Sequence, residues 1–116
     1  MIVLDTNILI DIEKQNQNTI QALEQIVIQN PNHPASITWV NYYEFSIGTE
    51  KKLLDEFDFL PMDIDSTKIF LKLKRQKLGV NDFDLLIASV VIANDGILVT
   101  RDRDFERITG LKLKII

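Results

Sequence analysis

Two rhythms of apolar and polar positions alternate along the chain. Ile2, Val3 and Leu4 form a short, largely β-branched apolar run, the pattern of a strand buried on both faces in a parallel sheet. Ile97 to Thr100 repeats it, Ala35 to Ile37 is a shorter version, and Leu111 to Ile115 alternates in strand fashion. Between these runs apolar residues recur every three or four positions. Ile8 to Glu13 reads as a short helix and KQNQN at 14–18 as a polar break. Thr19 to Gln29 reads as a helix with Ile20, Leu23, Ile26 and Val27 on one face, closed by Asn30, Pro31, Asn32 and Pro34. Thr38 is placed to cap a helix from Trp39 to Ile47 that ends at Gly48, and Thr49 restarts a helix through Glu56. Phe57 to Met62 predicts a strand that Pro61 confines to a sheet edge. Asp65 or Ser66 caps a helix to Leu78 stopped by Gly79, and Asn81 caps another over Asp82 to Ala93, closed by the turn Asn94-Asp95-Gly96. Asp104 to Ile108 is a last short helix. Strands alternating with helices predict an α/β fold with a central parallel sheet of four to five strands covered by helices.

No repeat or linker interrupts this pattern, so the 116 residues read as one domain, 1–116, with room for a single real core. The absence of cysteine excludes disulfides, thiolate nucleophiles and cysteine zinc sites, and fits a reducing compartment. No apolar run approaches the ~18 residues of a membrane span, and Asp5 interrupts the N-terminal run too early for a signal peptide. A cytoplasmic protein without membrane attachment is expected. His33, the one histidine, lies between Asn32 and Pro34 in a predicted loop, which excludes histidine metal sites and Ser-His-Asp triads. Catalysis would therefore rest on carboxylates, Lys, Arg, Tyr or Ser. A net charge of −4 argues against non-specific nucleic-acid binding. An acidic cluster that holds a divalent cation would itself account for that charge: setting four of the 17 acids aside leaves 13, equal to the 13 bases.

Four acids stand in suggestive places. Asp5 ends the first strand, at the carboxyl edge where open α/β sheets place their ligands; it can equally be a strand-end or capping residue. Thr6 and Asn7 behind it offer further capping side chains. Glu44 lies on the helix after the second strand with Tyr43, Phe45 and Ile47 beside it, which places it near the core side, although glutamates are ordinarily solvated. Asp82 and Asp84 open a helix that is apolar nearly all round, where acids also suit the helix dipole. Positions i and i+2 cannot share a face, so one of the pair points into a site, and Asp84, directly before the most apolar turn, is the choice. Asp102 follows the strand Ile97 to Thr100 and shares the edge of Asp5, while Asp104 reads as a cap. Such carboxylates suit Mg²⁺, which takes oxygen ligands, waters and substrate phosphates. The bound ion can supply hydroxide and neutralise charge on a phosphodiester. Lys68, Lys72 and Arg75, at i, i+4 and i+7 with Lys74 and Lys77 nearby, form either a phosphate-contacting stripe or a solvated helix face.

In these pieces the chain resembles the PIN-domain ribonucleases, most closely the VapC-type toxins of VapBC toxin–antitoxin pairs. The matching pieces are VLDTNILI within residues 2–10, SITWVNYYEFSIG at 36–48, GVNDFDLLIAS at 79–89 and ILVTRDRDFERITGLKL at 97–113, in the family's order and each with an acid. DTN by itself is a weak signal; the four together are specific. Residues 50–78 match only loosely. The resemblance implies a three-layer sandwich and a metal-dependent endoribonuclease that cleaves RNA phosphodiesters with a metal-activated water. It implies Asp5, Glu44, Asp84 and Asp102 as the catalytic quartet, and Mg²⁺ or Mn²⁺ as the cofactor, held by Asp5, Asp84 and Asp102. Thr6 and Asn7 match residues that order the first Asp and its water; the Asp102 position is often Asn in similar toxins. Arg101 is a candidate phosphate contact. A homodimer and a cognate VapB-like antitoxin are the implied partners beside RNA.

Two rivals stay open. A PIN-like domain without catalysis would serve as a binding module. A phospho-accepting receiver domain also places acids at the edge of its first strand, but needs a Lys at the end of a later strand, where this chain has Arg101.

Overall fold

The computed structural model describes residues 1–31, 34–47 and 52–116. Its described elements run β1 (Ile2–Leu4), α1 (Thr6–Glu13), α2 (Gln17–Ile28), β2 (Ala35–Thr38), α3 (Trp39–Ser46), a 3-10 turn (Lys52–Glu56), β3 (Asp58–Leu60), α4 (Ile64–Arg75), α5 (Asp82–Ala93), β4 (Ile97–Thr100), a second 3-10 turn (Arg103–Arg107) and β5 (Lys112–Ile115). The five described strands form one parallel sheet in the order β3-β2-β1-β4-β5, with β1 at its centre.

Period-two alternation divides the core into two layers. Ile2 and Leu4 of β1, Ile37 of β2 and Val99 of β4 point to one face, where Ile8 and Leu9 of α1, Ile26 of α2 and Phe45 of α3 cover them. Val3 and Leu98 point to the other face and meet Leu73 of α4 and Leu85, Ile87, Val90 and Val91 of α5. Helices on both faces of a parallel sheet make the expected three-layer sandwich. Gly96 precedes β4 where a Cβ would stand 3.2 Å from Val3 Cγ2, so a side chain there would have to press Val3 aside by a few tenths of an ångström. No helix among the described residues is long and apolar enough to cross a membrane.

Several element ends differ from expectation, each for a local reason. Asp5 itself caps α1, its Oδ1 accepting from Thr6 N, so the helix starts at Thr6 rather than Ile8. Asn16 accepts from Thr19 N and starts α2 inside the predicted polar break. Asp63, not Asp65 or Ser66, caps α4 in a capping box with Ser66. That helix ends at Arg75 because Lys77 takes a left-handed φ of 53°. The helix expected from Thr49 is a 3-10 turn from Lys52, and Phe57 to Met62 shortens to Asp58–Leu60, at the sheet edge. The Gly48 stop, the Thr49 restart and His33 lie outside the described residues.

The topology creates a crevice. The chain leaves β1 toward β2 on one side and returns to β4 on the other, so the carboxyl ends of β1 and β4 stand side by side where the winding reverses. Leu4 pairs with Val99, Asp5 N donates to Val99 O at 3.0 Å, and Asp5 and Thr100 become the facing residues at this edge.

Candidate active site

Asp5 is buried at 6% exposure, and its carboxylate is ringed by donors. Oδ1 accepts from Thr6 N at 2.8 Å and Asn41 Nδ2 at 3.2 Å. Oδ2 accepts from Thr100 Oγ1 at 2.6 Å and, more weakly, from Asn7 Nδ2 at 3.4 Å. Burial still outweighs these bonds and, with the charge of Asp102, pushes the Asp5 carboxyl above its ordinary range. α3 brings the second acid. Thr38 and Asn41 close a capping box at its start, fully buried, and Asn41 Nδ2 also donates to Thr6 Oγ1 at 3.1 Å. Thr6 Oγ1 in turn donates to Glu44 Oε1 at 2.9 Å. Glu44 is also raised, first by burial and further by the charge of Asp5. Its sequence neighbours Tyr43 and Ile47 are exposed, so Glu44 faces this crevice through the helix turn shared with Asn41 rather than by lying on an apolar face.

α5 supplies the third acid at its first turn. Asn81 caps this helix through Asp84 N, and its Nδ2 donates to Asp84 Oδ2 at 2.9 Å. The half-buried Asp84 is pushed up to about 6, first by desolvation and then by the charges of Asp5, Asp102 and Glu44. Asp82 points elsewhere and pairs with Lys74 at 2.7 Å. Asp102 caps the second 3-10 turn through Asp104 N, the role expected of Asp104, while its own N–H donates to Thr100 Oγ1 at 3.0 Å. Asp104 is exposed, 3.9 Å from Arg107.

The four acids thus come from four separate segments and act on one another electrostatically. No ion pair among the described residues includes any of them. As they stand, no three described His, Asp or Glu side chains are close enough to ligate one ion together. The donors are all hard oxygens carrying uncompensated charge, so they fit a divalent cation that keeps much of its water, as Mg²⁺ does, rather than one enclosed by protein.

Arg101, the candidate phosphate contact, is engaged. Its guanidinium spans both oxygens of Asp11 at 3.1 Å, and its backbone N–H donates to Asn7 Oδ1 at 3.3 Å. Asp11 is buried and also accepts from Thr19 Oγ1 at 2.6 Å. Arg101→Ala should lower stability by about 2 kcal/mol, because it strands a buried carboxylate. A thermal melt checks this, and an unchanged midpoint would make the pair dispensable. Lys68, Lys72 and Arg75 of the basic stripe are exposed.

Asn41, Thr100 and Asp11 are the polar residues that sequence reasoning missed. Asn41 had one legible signal, its place three residues after the cap Thr38. Thr100, fully buried, reads merely as the end of a β-branched strand.

The PIN-domain family model matches residues 2–111. This chain belongs to the PIN-domain family. The family is one of nucleases, and its membership removes the receiver reading. Among solved structures, this PIN domain is similar to VapBC2 from Rickettsia felis bound to a DNA fragment from their promoter, at 25% identity and TM-score 0.82, covering 100% of this chain and 99% of that one. VapBC-1 from nontypeable Haemophilus influenzae matches at 26% identity and TM-score 0.79 over 99% and 98% of the two chains. A toxin–antitoxin complex from Klebsiella pneumoniae matches at 26% and 0.76 over 96% and 95%. A comparison with curated proteins yields no match.

Proposed function

We propose that this PIN domain is a divalent-metal-dependent endoribonuclease and the toxin of a type II toxin–antitoxin pair acting in the cytoplasm. The observation that supports the reading is that Asp5, at the carboxyl end of β1, is joined to Glu44 through Thr6 and to Asp102 through Thr100, with Asp84 in electrostatic reach and no cationic partner among the described residues. Asp5, Asp84 and Asp102 would hold Mg²⁺ or Mn²⁺, with Glu44 adjoining. A bound ion supplies hydroxide at neutral pH and offsets charge on the phosphodiester. The chain's own contribution is orientation. Thr100, Asn41 and Asn7 fix both oxygens of Asp5, and Thr6 relays the Asn41 amide to Glu44.

The partner reading follows the neighbours, whose structures are VapBC complexes. A VapB-like antitoxin would place a basic residue among the four acids, since an Arg can stand in for the ion's charge. A homodimer would cover the exposed Tyr42, Ile47 and Phe59, beside which the buried Trp39 indole N–H finds no acceptor among the described residues.

The test is cleavage of several structured and unstructured RNAs by purified protein in Mg²⁺ or Mn²⁺, with arrest by chelator. Cleavage that continues undiminished in excess EDTA would rule out the metal mechanism. Metal-dependent binding without cleavage of any RNA would favour the inactive-module reading.

A further inference from the structure

Among the described residues two acids are buried, Asp5 and Asp11. Asp5 heads the candidate site, whereas Asp11, further along α1, has no part in the chemistry proposed above. Its carboxylate is nonetheless fully engaged. Oδ2 accepts from Thr19 Oγ1 of α2 at 2.6 Å and meets Arg101 Nε at 3.1 Å, and Oδ1 accepts from Arg101 Nη2 at 3.1 Å. A buried ion pair adds little stability over packed apolar groups, because desolvation offsets the attraction. What the guanidinium fork does give is direction, since two parallel N–H donors fix both the plane and the angle of approach.

Direction matters at this point of the chain. β4 ends at Thr100, whose carbonyl accepts from Ile116 N at 3.0 Å. Residues 101 and 102 lie beyond the strand, so no ladder pairing sets the place of Asp102. Arg101 is instead held to α1 at two points: its backbone N–H donates to Asn7 Oδ1 at 3.3 Å, and its side chain is gripped by Asp11. Asn7 and Asp11 are four apart on α1, so the helix offers both acceptors from one face. The bonds continue into the site. Asn7 Nδ2 donates to Thr100 Oγ1 at 3.2 Å, Asp102 N donates to the same oxygen at 3.0 Å, and Thr100 Oγ1 donates to Asp5 Oδ2 at 2.6 Å. A hydroxyl has one proton and two lone pairs, so Thr100 is saturated and its orientation depends on where residues 101 and 102 lie.

We infer that Asp11 and Arg101 are positioning residues for the metal site: their clamp fixes residue 101, so that Asp102 and, through Thr100, Asp5 keep one geometry when they hold the cation. Neither residue touches the ion or the RNA. The inference rests on the metal-dependent reading, and it gives Arg101 a different task from the phosphate contact that its place in the sequence suggests.

The experiment measures Mn²⁺ affinity of the full chain without RNA, from the paramagnetic resonance of free Mn²⁺, well below the melting point of every variant. Asp11→Asn keeps the shape and removes the charge; Arg101→Met keeps the aliphatic stem and removes the fork. Each should weaken Mn²⁺ binding by about ten-fold, as loss of a group that orients a metal ligand without touching the ion does. Long-range charge alone would move the two in opposite directions, because one removes an anion and the other a cation. The double variant should bind no more weakly than either single one, since the pair acts as a unit. In cleavage assays kcat should fall at limiting Mn²⁺ and recover at saturating Mn²⁺, with KM for RNA unchanged. Parental or tighter Mn²⁺ binding by either folded single variant would overturn the inference and leave the pair a stabilising contact only. A raised KM for RNA with parental Mn²⁺ affinity in Arg101→Met would overturn it in favour of a phosphate contact. If neither variant folds, Thr19→Val decides: weakened Mn²⁺ binding that Thr19→Ser restores supports the clamp, and parental binding overturns it. A parent that binds Mn²⁺ but cleaves no RNA would sink the ribonuclease reading while these affinities still judge the clamp. A parent that binds no Mn²⁺ would overturn both.

Discussion

In EDTA, Asp84→Asn is expected to melt a few degrees above the parent while losing nearly all cleavage in Mg²⁺. A carboxyl moved from 3.8 to about 6 would at full value carry about 3 kcal/mol against its ionised form. Asp84 is only half-buried, and solvent screening reduces this to about 1–2 kcal/mol. Removing the charge also forfeits a favourable helix-dipole contribution at the first turn of α5, about 0.3–1 kcal/mol. Asparagine keeps the shape and can still accept from Asn81. The balance is a gain near 1 kcal/mol, or roughly 4 °C for a chain of this size.

The pH dependence has a definite sign. A folded pKa raised above the unfolded value makes the Asp84 contribution most favourable below about pH 4, and that contribution is lost as pH rises through about 6. Between pH 7 and 5 the metal-free parent should therefore gain on the Asn variant's lead, and the two melting points should converge. Asp63 and Asp95, held below the ordinary range by Ser66 and Lys112 respectively, act in the opposite direction at lower pH in both proteins. Added Mg²⁺ should stabilise the parent more than the variant, since ligand binding to the folded state adds stability according to affinity. Thermal melts of both proteins across pH, with EDTA and with Mg²⁺, test the set. A variant that melts below the parent in EDTA would mark Asp84 as a helix-terminal structural residue and move the site toward Asp82.

The second large effect belongs to a residue without charge. Asn41→Ala should cost about 3 kcal/mol and lower the melting point by roughly 10 °C, because a buried hydrogen-bonding node is removed and its partners are left unsatisfied. Asn41 is fully buried, its Nδ2 serves Asp5 and Thr6, and its Oδ1 accepts from Thr38 N and Oγ1. The loss also removes one of the bonds that hold down the Asp5 carboxyl, so Asp5 ionises less readily and Mg²⁺ should stabilise the variant less than the parent. A melting point within two or three degrees of the parent would show that water replaces the amide and that the network does not order the site.

The strands and the longer helices were legible because they rest on local periodicity, whereas the helices expected from Thr49 and from Asp104 to Ile108 are 3-10 turns, too short to carry a period of their own. Ile2 to Leu4, Ile97 to Thr100 and the nearly all-apolar α5 carry their burial in their own pattern, and the alternation of strands with helices settles a parallel sheet. Helix starts were less legible. Asp5, Asn16, Asp63 and Asp102 each compete with adjacent polar residues that could cap equally well, and only the path of the chain selects among them. The sequence by itself determined the family, the fold and the supply of acids in four motifs. Only the tertiary structure decided which side chains address one another. The pairing of Asp5 with Thr100 spans 95 positions and that with Asn41 spans 36. Arg101 turns to Asp11 across 90. Contacts of that separation leave no periodic trace in a single chain, because they are set by strand order and register rather than by neighbours along the backbone.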